Sequence, residues 1–478
     1  MSVKSALIAA SAFLMACAGG IKPPATAPTP VATRPSEPRS NIPPLTLPPD
    51  SAKSPSRSDD ADAAELPVTV LPTIVGHRTE DRASDARPTG GISRNQNDQT
   101  VRIALAIGQH SARLTATGDW DVYDGSTNKL LAHLHAADGV TAESRNGMVV
   151  ASGAAIPSVR GSLIARPAGS GSFVIFDGHR YRGDIGLASS ADGVMVINRL
   201  GVEDYLRGVV PMEIGSDRTI TESAAIEAQA IAARSFTYTR MNDSRPYDMV
   251  ATTSDQVYGG VDSERPLSDA AISATRNMVM MYGGKVINAP YHANSGGVTA
   301  SASEVWRSGD EPYLVSVSDK IPGTDKYYGE DAPRFHWTRT LGASDLTAAL
   351  DRYLPAYSSA RSGHVGRLRK VTETGRTASG RISGLVFVTD QGSFAVRGND
   401  VRFVLRSADG QVLPSTLFSF DATTDSKGRV SQLVIHGSGN GHGVGMDQWG
   451  AIARARAGQD ALTILRTYYP GTTIGRVI

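Results

Sequence analysis

An α+β fold is what the sequence predicts, with a β-rich N-terminal subdomain packed against a mixed α/β core and a long tether in front. Three observations lead there. Turn dipeptides recur between short alternating runs from about residue 100 to residue 200. An Ala-rich stretch without Gly or Pro follows. Strand-like and helical runs then mix, without a regular βαβ series or a repeat of fixed period. The 478 residues are enough for two or three structural units with full cores. Lys+Arg 48 against Asp+Glu 47 leaves no cationic footprint, so no nucleic-acid partner is expected. A single Cys excludes a disulfide framework and any zinc site built on two or more thiolates.

That Cys stands at position 17, and the residues before it read as an export signal. Lys4 supplies the positive start, and residues 6–15 form an apolar run. The run is shorter than the roughly 20 apolar residues that span a bilayer as a helix. It ends in Leu14-Met15-Ala16-Cys17, which resembles the bacterial lipobox, where the Cys is lipidated. An ordinary cleaved signal with an incidental Cys is the plainer alternative. The lipobox implies a lipid anchor through Cys17 in the cell envelope. Ala18 after the Cys points to the outer membrane, facing the periplasm, in a cell with two membranes. Residues 18–99 hold most of the remaining signal of disorder. Of the 26 prolines, 14 precede residue 100, among Ser, Thr, Ala and charges of both signs. Such a segment cannot bury enough apolar area to offset its ordering entropy, so it is expected to be an extended tether.

The β-rich subdomain is expected over residues 100–200. It opens with the alternating run 101–107 and closes with the run 193–198. Asp124-Gly125, Asp138-Gly139, Asn146-Gly147, Asp177-Gly178 and Asp192-Gly193 mark hairpin turns between them. The core is expected over 201–478. Thr219-Ile220-Thr221-Glu222 forms a capping box ahead of a helix that runs to Arg240. A second helix is predicted over 268–278 and a strand over 286–291. Residues 364–435 read as a β-rich insertion or subdomain, with strands at 384–388 and 430–435. Two helices, 448–457 and 460–468, are divided by Gly458, which is well placed as a C-cap.

Three segments carry residues that packing does not explain. In the first, Glu213 follows Val209, Val210, Pro211 and Met212 and precedes Gly215, which predicts a loop before a helix. A poorly solvated carboxyl there would have a raised pKa and could donate a proton near neutrality. On spacing alone the stronger reading is an ordinary solvated or helix-favouring Glu. The second segment is Tyr291-His292-Ala293-Asn294-Ser295-Gly296-Gly297, with Trp306 beyond it. Paired Gly lets backbone approach a ligand, and Trp offers a stacking face. A Ser295–His292 nucleophilic pair is a weaker option, because no Gly-x-Ser-x-Gly elbow accompanies it. The third segment runs from Gly437 to Ala451 through His442 and Gln448. Its glycines fail as a dinucleotide or phosphate loop, having no βαβ unit and no Lys-Ser/Thr after them. A backbone-lined loop that sets His442 and Gln448 against an extended substrate is simpler. His292 and His442 could ligate a metal, but no third good ligand is evident, so no metal and no cofactor are expected.

Taken together, these segments resemble the stage II sporulation protein D family (SpoIID, the SpoIID/LytB or amidase-enhancer domain). The motifs are Glu203-Asp204-Tyr205-Leu206-x-Gly208-Val209-Val210-Pro211-Met212-Glu213 and Ala228-Gln229-Ala230-Ile231-Ala232-Ala233-Arg234-Ser235. Asp255-Gln256-Val257-Tyr258-Gly259-Gly260, His292-x-x-Ser295-Gly296-Gly297, and Gly441-His442 through Ala451 follow in order. The resemblance implies a lytic transglycosylase that cleaves peptidoglycan between N-acetylmuramic acid and N-acetylglucosamine, on strands freed of stem peptides. It places the catalytic Glu on Glu213. It makes Tyr205, Arg234, Gln256, Tyr258, His292, Ser295, Gly296, Trp306, His442 and Gln448 candidates for binding the glycan. Some relatives bind zinc through Cys and His near the His-x-x-Ser segment. This chain has Val298 and Ala300 there, so that site is expected to be absent. A cell-wall amidase or divisome protein is the partner class implied. Two rival readings are a non-catalytic glycan-binding enhancer of an amidase, and a metal or serine hydrolase built on His292 and Ser295.

Overall fold

A computed structural model describes residues 73–74 and 99–477, apart from 147, 154–155, 307–308 and 362. The export signal, Cys17 and nearly all of the tether lie outside the described residues. Mixed helices and sheets give an α+β fold. None of the described helices is long and apolar enough to cross a membrane.

The strands on either side of Asp124-Gly125, Asp177-Gly178 and Asp192-Gly193 pair as hairpins, and Val140–Arg145 pairs with Met148–Gly153, whereas Asp138-Gly139 links strands of two different sheets. Thr100–Gln109, Gly193–Gly201, Asp184–Ser190, Leu163–Pro167, Trp120–Asp124 and Leu130–Leu134 pair in that order in one antiparallel sheet. A second sheet centres on Ser111–Ala116, Val140–Arg145 and Met148–Gly153. Alternate residues of both, such as Val101, Ile103, Leu114, Trp120, Ala142 and Val149, share one apolar core. That core does not stop at the sheets. It continues into helix α1 (Val202–Ile214) and helix α2 (Ser223–Arg240) through Tyr205, Leu206, Val209, Ile226 and Ala230. The short strand Met249–Val250 also joins the first sheet, parallel to Thr100–Gln109.

Helix α2 begins as the capping box requires, with the Thr219 N–H donating to Glu222 Oε2 at 2.9 Å. Its alanines let neighbours approach on every side. From Ala225 to Thr237 nearly every residue is buried, so the helix is enclosed rather than amphipathic. The predicted helix at 268–278 is shorter, α3 (Pro266–Ala274), and the chain turns at once into a strand, Met278–Tyr282. Gly283 and Gly284, at φ +56° and +80°, make a two-residue hairpin to Lys285–Val286. The strand expected over 286–291 therefore reduces to two fragments, Lys285–Val286 and Tyr291–His292.

A second apolar core draws on Leu341 through Ile435 and is separate from the first. It packs α5 (Ala343–Tyr357), after the short α4 (Ala302–Val305), against two three-stranded sheets. One sheet has Val430–Ser438 at its centre, between His336–Gly342 and Phe418–Thr424. The chain then returns to the first core. After α6 (Val401–Val404), the two terminal helices are α7 (Gln448–Arg456) and α8 (Ala461–Tyr468), and both pack on α2.

Candidate active site

Glu213 stands in the last turn of α1, not in the expected loop. Gly208 and Pro211 read as helix breakers, and tertiary contacts override them. A Cβ at position 208 would fall 2.4 Å from Tyr258 Cε2, so only Gly lets the helix lie this close to the 255–263 segment. The carbonyl of Gly208 accepts from the Gly259 N–H (3.1 Å) and from Ser263 Oγ (3.0 Å). These bonds clamp the helix to that segment. The helix closes at Gly215, φ +103°, whose N–H donates to the Pro211 carbonyl at 3.1 Å.

The same clamp addresses the carboxyl. Glu213 Oε1 accepts from the Val257 N–H at 2.7 Å, and the Gln448 side chain also hydrogen-bonds the carboxylate. Gln448 in turn donates to Gln229 Oε1 at 3.3 Å, tying α7 to α2 behind the acid. Burial raises the Glu213 pKa to about 7 against the pull of those two hydrogen bonds. No second carboxyl contributes to that shift. The phenols of Tyr205 and Tyr291 are close enough for the Glu213 charge to raise them further above the usual tyrosine range, where burial already holds them. Glu213 keeps partial exposure, so a ligand can reach it.

Other expected groove residues turn out to be occupied by the protein's own groups. Gln256 is fully buried; Oε1 accepts from Tyr205 Oη (3.1 Å) and Thr237 Oγ1 (3.0 Å), while Nε2 donates to Tyr291 Oη (2.9 Å) and the Ala233 carbonyl (3.2 Å). It orients the two phenols beside Glu213. Tyr258 is buried, donates to Asn198 Oδ1 at 2.9 Å and packs 5.0 Å from the Tyr205 ring. Arg234 is wholly buried and pairs with Glu203 through two 2.8 Å bonds, so it fastens α2 to α1. Ser295 is also buried, and its Oγ donates to Asp319 Oδ2 at 3.0 Å. Its N–H donates to Asp447 Oδ2 at 2.7 Å. Gly296, at φ +75°, has its Cβ position blocked by the Ser438 backbone at 2.8 Å, a close approach of two loops.

His292, His442 and Trp306 form a second cluster. Their ring centroids lie 5.5 Å (His292–His442) and 5.1 Å (Trp306–His442) apart. The cluster joins the first through Tyr291–His292, which pairs in parallel with Met446–Asp447. His292 Nδ1 donates to the Val444 carbonyl at 3.1 Å, so its buried Nε2 carries the lone pair and has no partner. His442 Nδ1 accepts from the Val444 N–H at 3.1 Å. Burial holds both imidazoles neutral, pushing His442 down to about 3, and the guanidinium of Arg381 works in the same direction. With Ser295 bonded to Asp319 and His292 to Val444, the two do not form a nucleophilic pair. Among the described residues no group of three His, Cys, Asp or Glu side chains is placed to hold a metal.

Sequence reasoning passed over three participants. Val257 acts through its backbone N–H, which leaves no mark in a side-chain pattern. Gln229 was visible as a lone amide in an Ala-rich helix, and its partner on α7 was not. Arg381, from the second core, donates to the Ser295 and Val298 carbonyls at 2.9 Å each and braces the His292 segment.

Comparison with known proteins follows the same segments. The family described as Stage II sporulation protein (SpoIID) matches residues 190–282, which contain α1, Glu213, α2 and Gln256. A domain of unknown function, DUF8618, matches residues 321–445, which contain the second core. An amidase enhancer of Bacillus subtilis (strain 168) is 32% identical over 301 residues, covering 56% of this chain and 40% of that protein. An uncharacterized protein of Brachyspira hyodysenteriae is 29% identical, over 62% of this chain and 73% of its own length. Stage II sporulation protein D of Bacillus subtilis is 26% identical, over 58% and 75%. The segment that carries Glu213 thus matches the SpoIID family, and proteins similar to this chain bear names of sporulation and of amidase enhancement.

Proposed function

We propose that the protein is a lytic transglycosylase of peptidoglycan, acting on glycan strands without stem peptides, with Glu213 as its one acid and base. The observation that carries this reading is a reachable carboxyl with a pKa of about 7 and no carboxylate partner. A hydrolytic glycosidase uses two carboxyls, one as acid and one as nucleophile or water-activating base. A lytic transglycosylase needs only one, because the muramic acid 6-hydroxyl is the nucleophile and is held in the same sugar. Protonated Glu213 donates to the glycosidic oxygen as the C1–O bond breaks. The resulting carboxylate then accepts the 6-hydroxyl proton as O6 bonds to C1. The proton returns to Glu213, no water is consumed, and the product carries a 1,6-anhydro end. The Val257 N–H and the Gln448 amide stabilise the carboxylate between the two steps.

The name of the amidase-enhancer relative supports a second reading, a glycan-binding module that recruits or stimulates a cell-wall amidase. The two separate on a single substitution. Glu213→Gln keeps the shape and the hydrogen bonds to Val257 and Gln448 but has no proton to give. In the first reading it abolishes release of anhydro ends while strand binding persists. In the second, wild type and Glu213→Gln stimulate an amidase equally and neither creates new chain ends. An envelope location, with a lipid on Cys17 and the Pro-rich segment reaching to the wall, fits either reading.

A further inference from the structure

The second core sets a guanidinium, that of Arg402 on α6, beside the His292, His442 and Trp306 cluster. Arg402 Nε donates to the Leu413 carbonyl at 2.8 Å, and Nη1 donates to Asn399 Oδ1 at 3.1 Å. Those two partners locate the head group. Leu413 is followed by Pro414, whose carbonyl accepts from the Gly441 N–H at 2.8 Å, next to His442. Asn399 follows Gly398, where a Cβ would fall 3.6 Å from the Val305 carbonyl, next to Trp306. The guanidinium is thus bracketed by the segments that carry His442 and Trp306, whose rings lie 5.1 Å apart. Burial first, and then the Arg402 charge, hold the His442 imidazole neutral, and Arg381 adds a smaller share.

Neither guanidinium has a counter-charge of its own. Arg381 is buried, its Nη atoms donate to the Ser295 and Val298 carbonyls, and its Nε has no partner. The carboxylates that act on Arg381 are committed elsewhere, Glu304 to Ser379 and Asp447 to the Ser295 and Gly450 N–H groups. Among the described residues no carboxylate acts on Arg402. Burial pulls both guanidiniums down to about 10, and at Arg402 the charge of Arg381 adds to it. Two like charges held this way are costly, and an anion between them and solvent removes much of the cost. Arg402 is the one of the two that stays partly exposed. Its planar fork suits a carboxylate, and the half-buried Trp306 ring beside it suits the face of a pyranose.

One unit of a glycan strand carries both features. The muramic sugar bears a lactyl ether whose carboxylate is free once the stem peptide is gone, and is an uncharged amide while the peptide is attached. We propose that Arg402, with Arg381 behind it, binds the free lactyl carboxylate of a muramic residue seated on Trp306, and so selects strands without stem peptides. The assignment rests on the glycan reading above and gives the second core a part in choosing the substrate. The cluster is continuous with the acid. His442 lies 5.5 Å from the His292 ring, and His292 follows Tyr291, whose phenol feels the Glu213 charge.

The test uses the full chain and peptide-free strands, either untreated or with every lactyl carboxylate converted to its methylamide. Binding is measured in the Glu213→Gln protein, so that the strands stay uncut. The untreated strand binds roughly ten to a hundred times tighter than the methylamide, the range of a hydrogen-bonded charge pair. Adding Arg402→Gln removes that preference by weakening the untreated strand alone, and Arg402→Lys in its place keeps part of it. Equal weakening of both strands by Arg402→Gln, or a preference that survives it, overturns the assignment. If Arg402→Gln does not fold, no preference in the parent protein, or an undiminished one in Arg402→Lys, overturns it. So does tighter, Arg402-dependent binding of a glycerol-phosphate polymer than of the untreated strand, which would assign the site to a phosphodiester. If the wild type releases no new ends while the preference depends on Arg402, the carboxylate site stands and the transglycosylase reading falls. If the wild type cleaves untreated and methylamide strands equally well, that reading stands and the carboxylate site alone falls.

Discussion

At the scale of single residues, Glu213 sets two pH dependences with different signs to check. As the general acid it must start protonated, so kcat/KM on peptide-free glycan should fall as pH rises through about 7. A rate that instead rises across pH 6–8 would remove Glu213 from that role. The stability effect follows from linkage. The folded state holds this proton more tightly than the unfolded chain, so the associated stability is full below pH 4.5 and is lost as pH rises through about 7. Glu213→Gln does not titrate. Relative to wild type it should gain about 1–3 kcal/mol between pH 4 and pH 8, discounted for the partial exposure of the side chain. Denaturant midpoints of both proteins across that range measure it. The sequence made Glu213 visible only through its motif. Its unusual proton affinity depends on Val257 and Gln448, 44 and 235 positions away, which no local pattern connects.

At the scale of elements, the decisive contact is between α1 and the 255–263 segment. Gly208→Ala places a methyl against the Tyr258 ring, and the resulting overpacking should cost about 1–3 kcal/mol. Because the clamp also sets Val257, the glycan turnover of the folded variant should fall as well. Normal stability and turnover would show that the approach is not tight. Arg234→Met tests the other fastening. It leaves Glu203 without its partner and should cost about 3 kcal/mol in thermal or denaturant unfolding. Strand binding below the melting temperature should be unchanged, because Arg234 is not open to ligand. Lost binding with normal stability would return it to the groove. The hairpins, the capping box and the two terminal helices were legible because each is specified by neighbours in sequence. Helix α1 was not, since Gly208 and Pro211 break a helix locally and only Tyr258, Gly259 and Ser263 make it hold. The strand at Met278–Tyr282 was missed for a nearer reason. Gly283-Gly284 is a hairpin signal that places a strand before it as well as after it.

At the scale of the whole molecule, one apolar core unites the β-rich subdomain with the helices that carry Glu213, and a second core is added beside it. The α+β class was legible from the order of turn-rich and Ala-rich stretches. The contribution of the second core to the site was not, because Arg381 reaches Ser295 across 86 positions. The Pro-rich segment ahead of both cores and the single Cys17 bear on where the molecule works. In cells, Cys17→Ala should move the protein from the membrane fraction to the soluble fraction and abolish labelling with a fatty acid. Unchanged partition and no label on the wild type would exclude the anchor.

In the proposed reaction one carboxyl cleaves a glycan strand without water. Digesting peptide-free glycan in ¹⁸O-labelled water and weighing the new chain ends tests it directly. Anhydro ends, lighter by one water than hydrolytic ends and free of the label, are expected from the wild type and not from Glu213→Gln. Ends that carry ¹⁸O, or no new ends from a wild type that binds the strands, would contradict it.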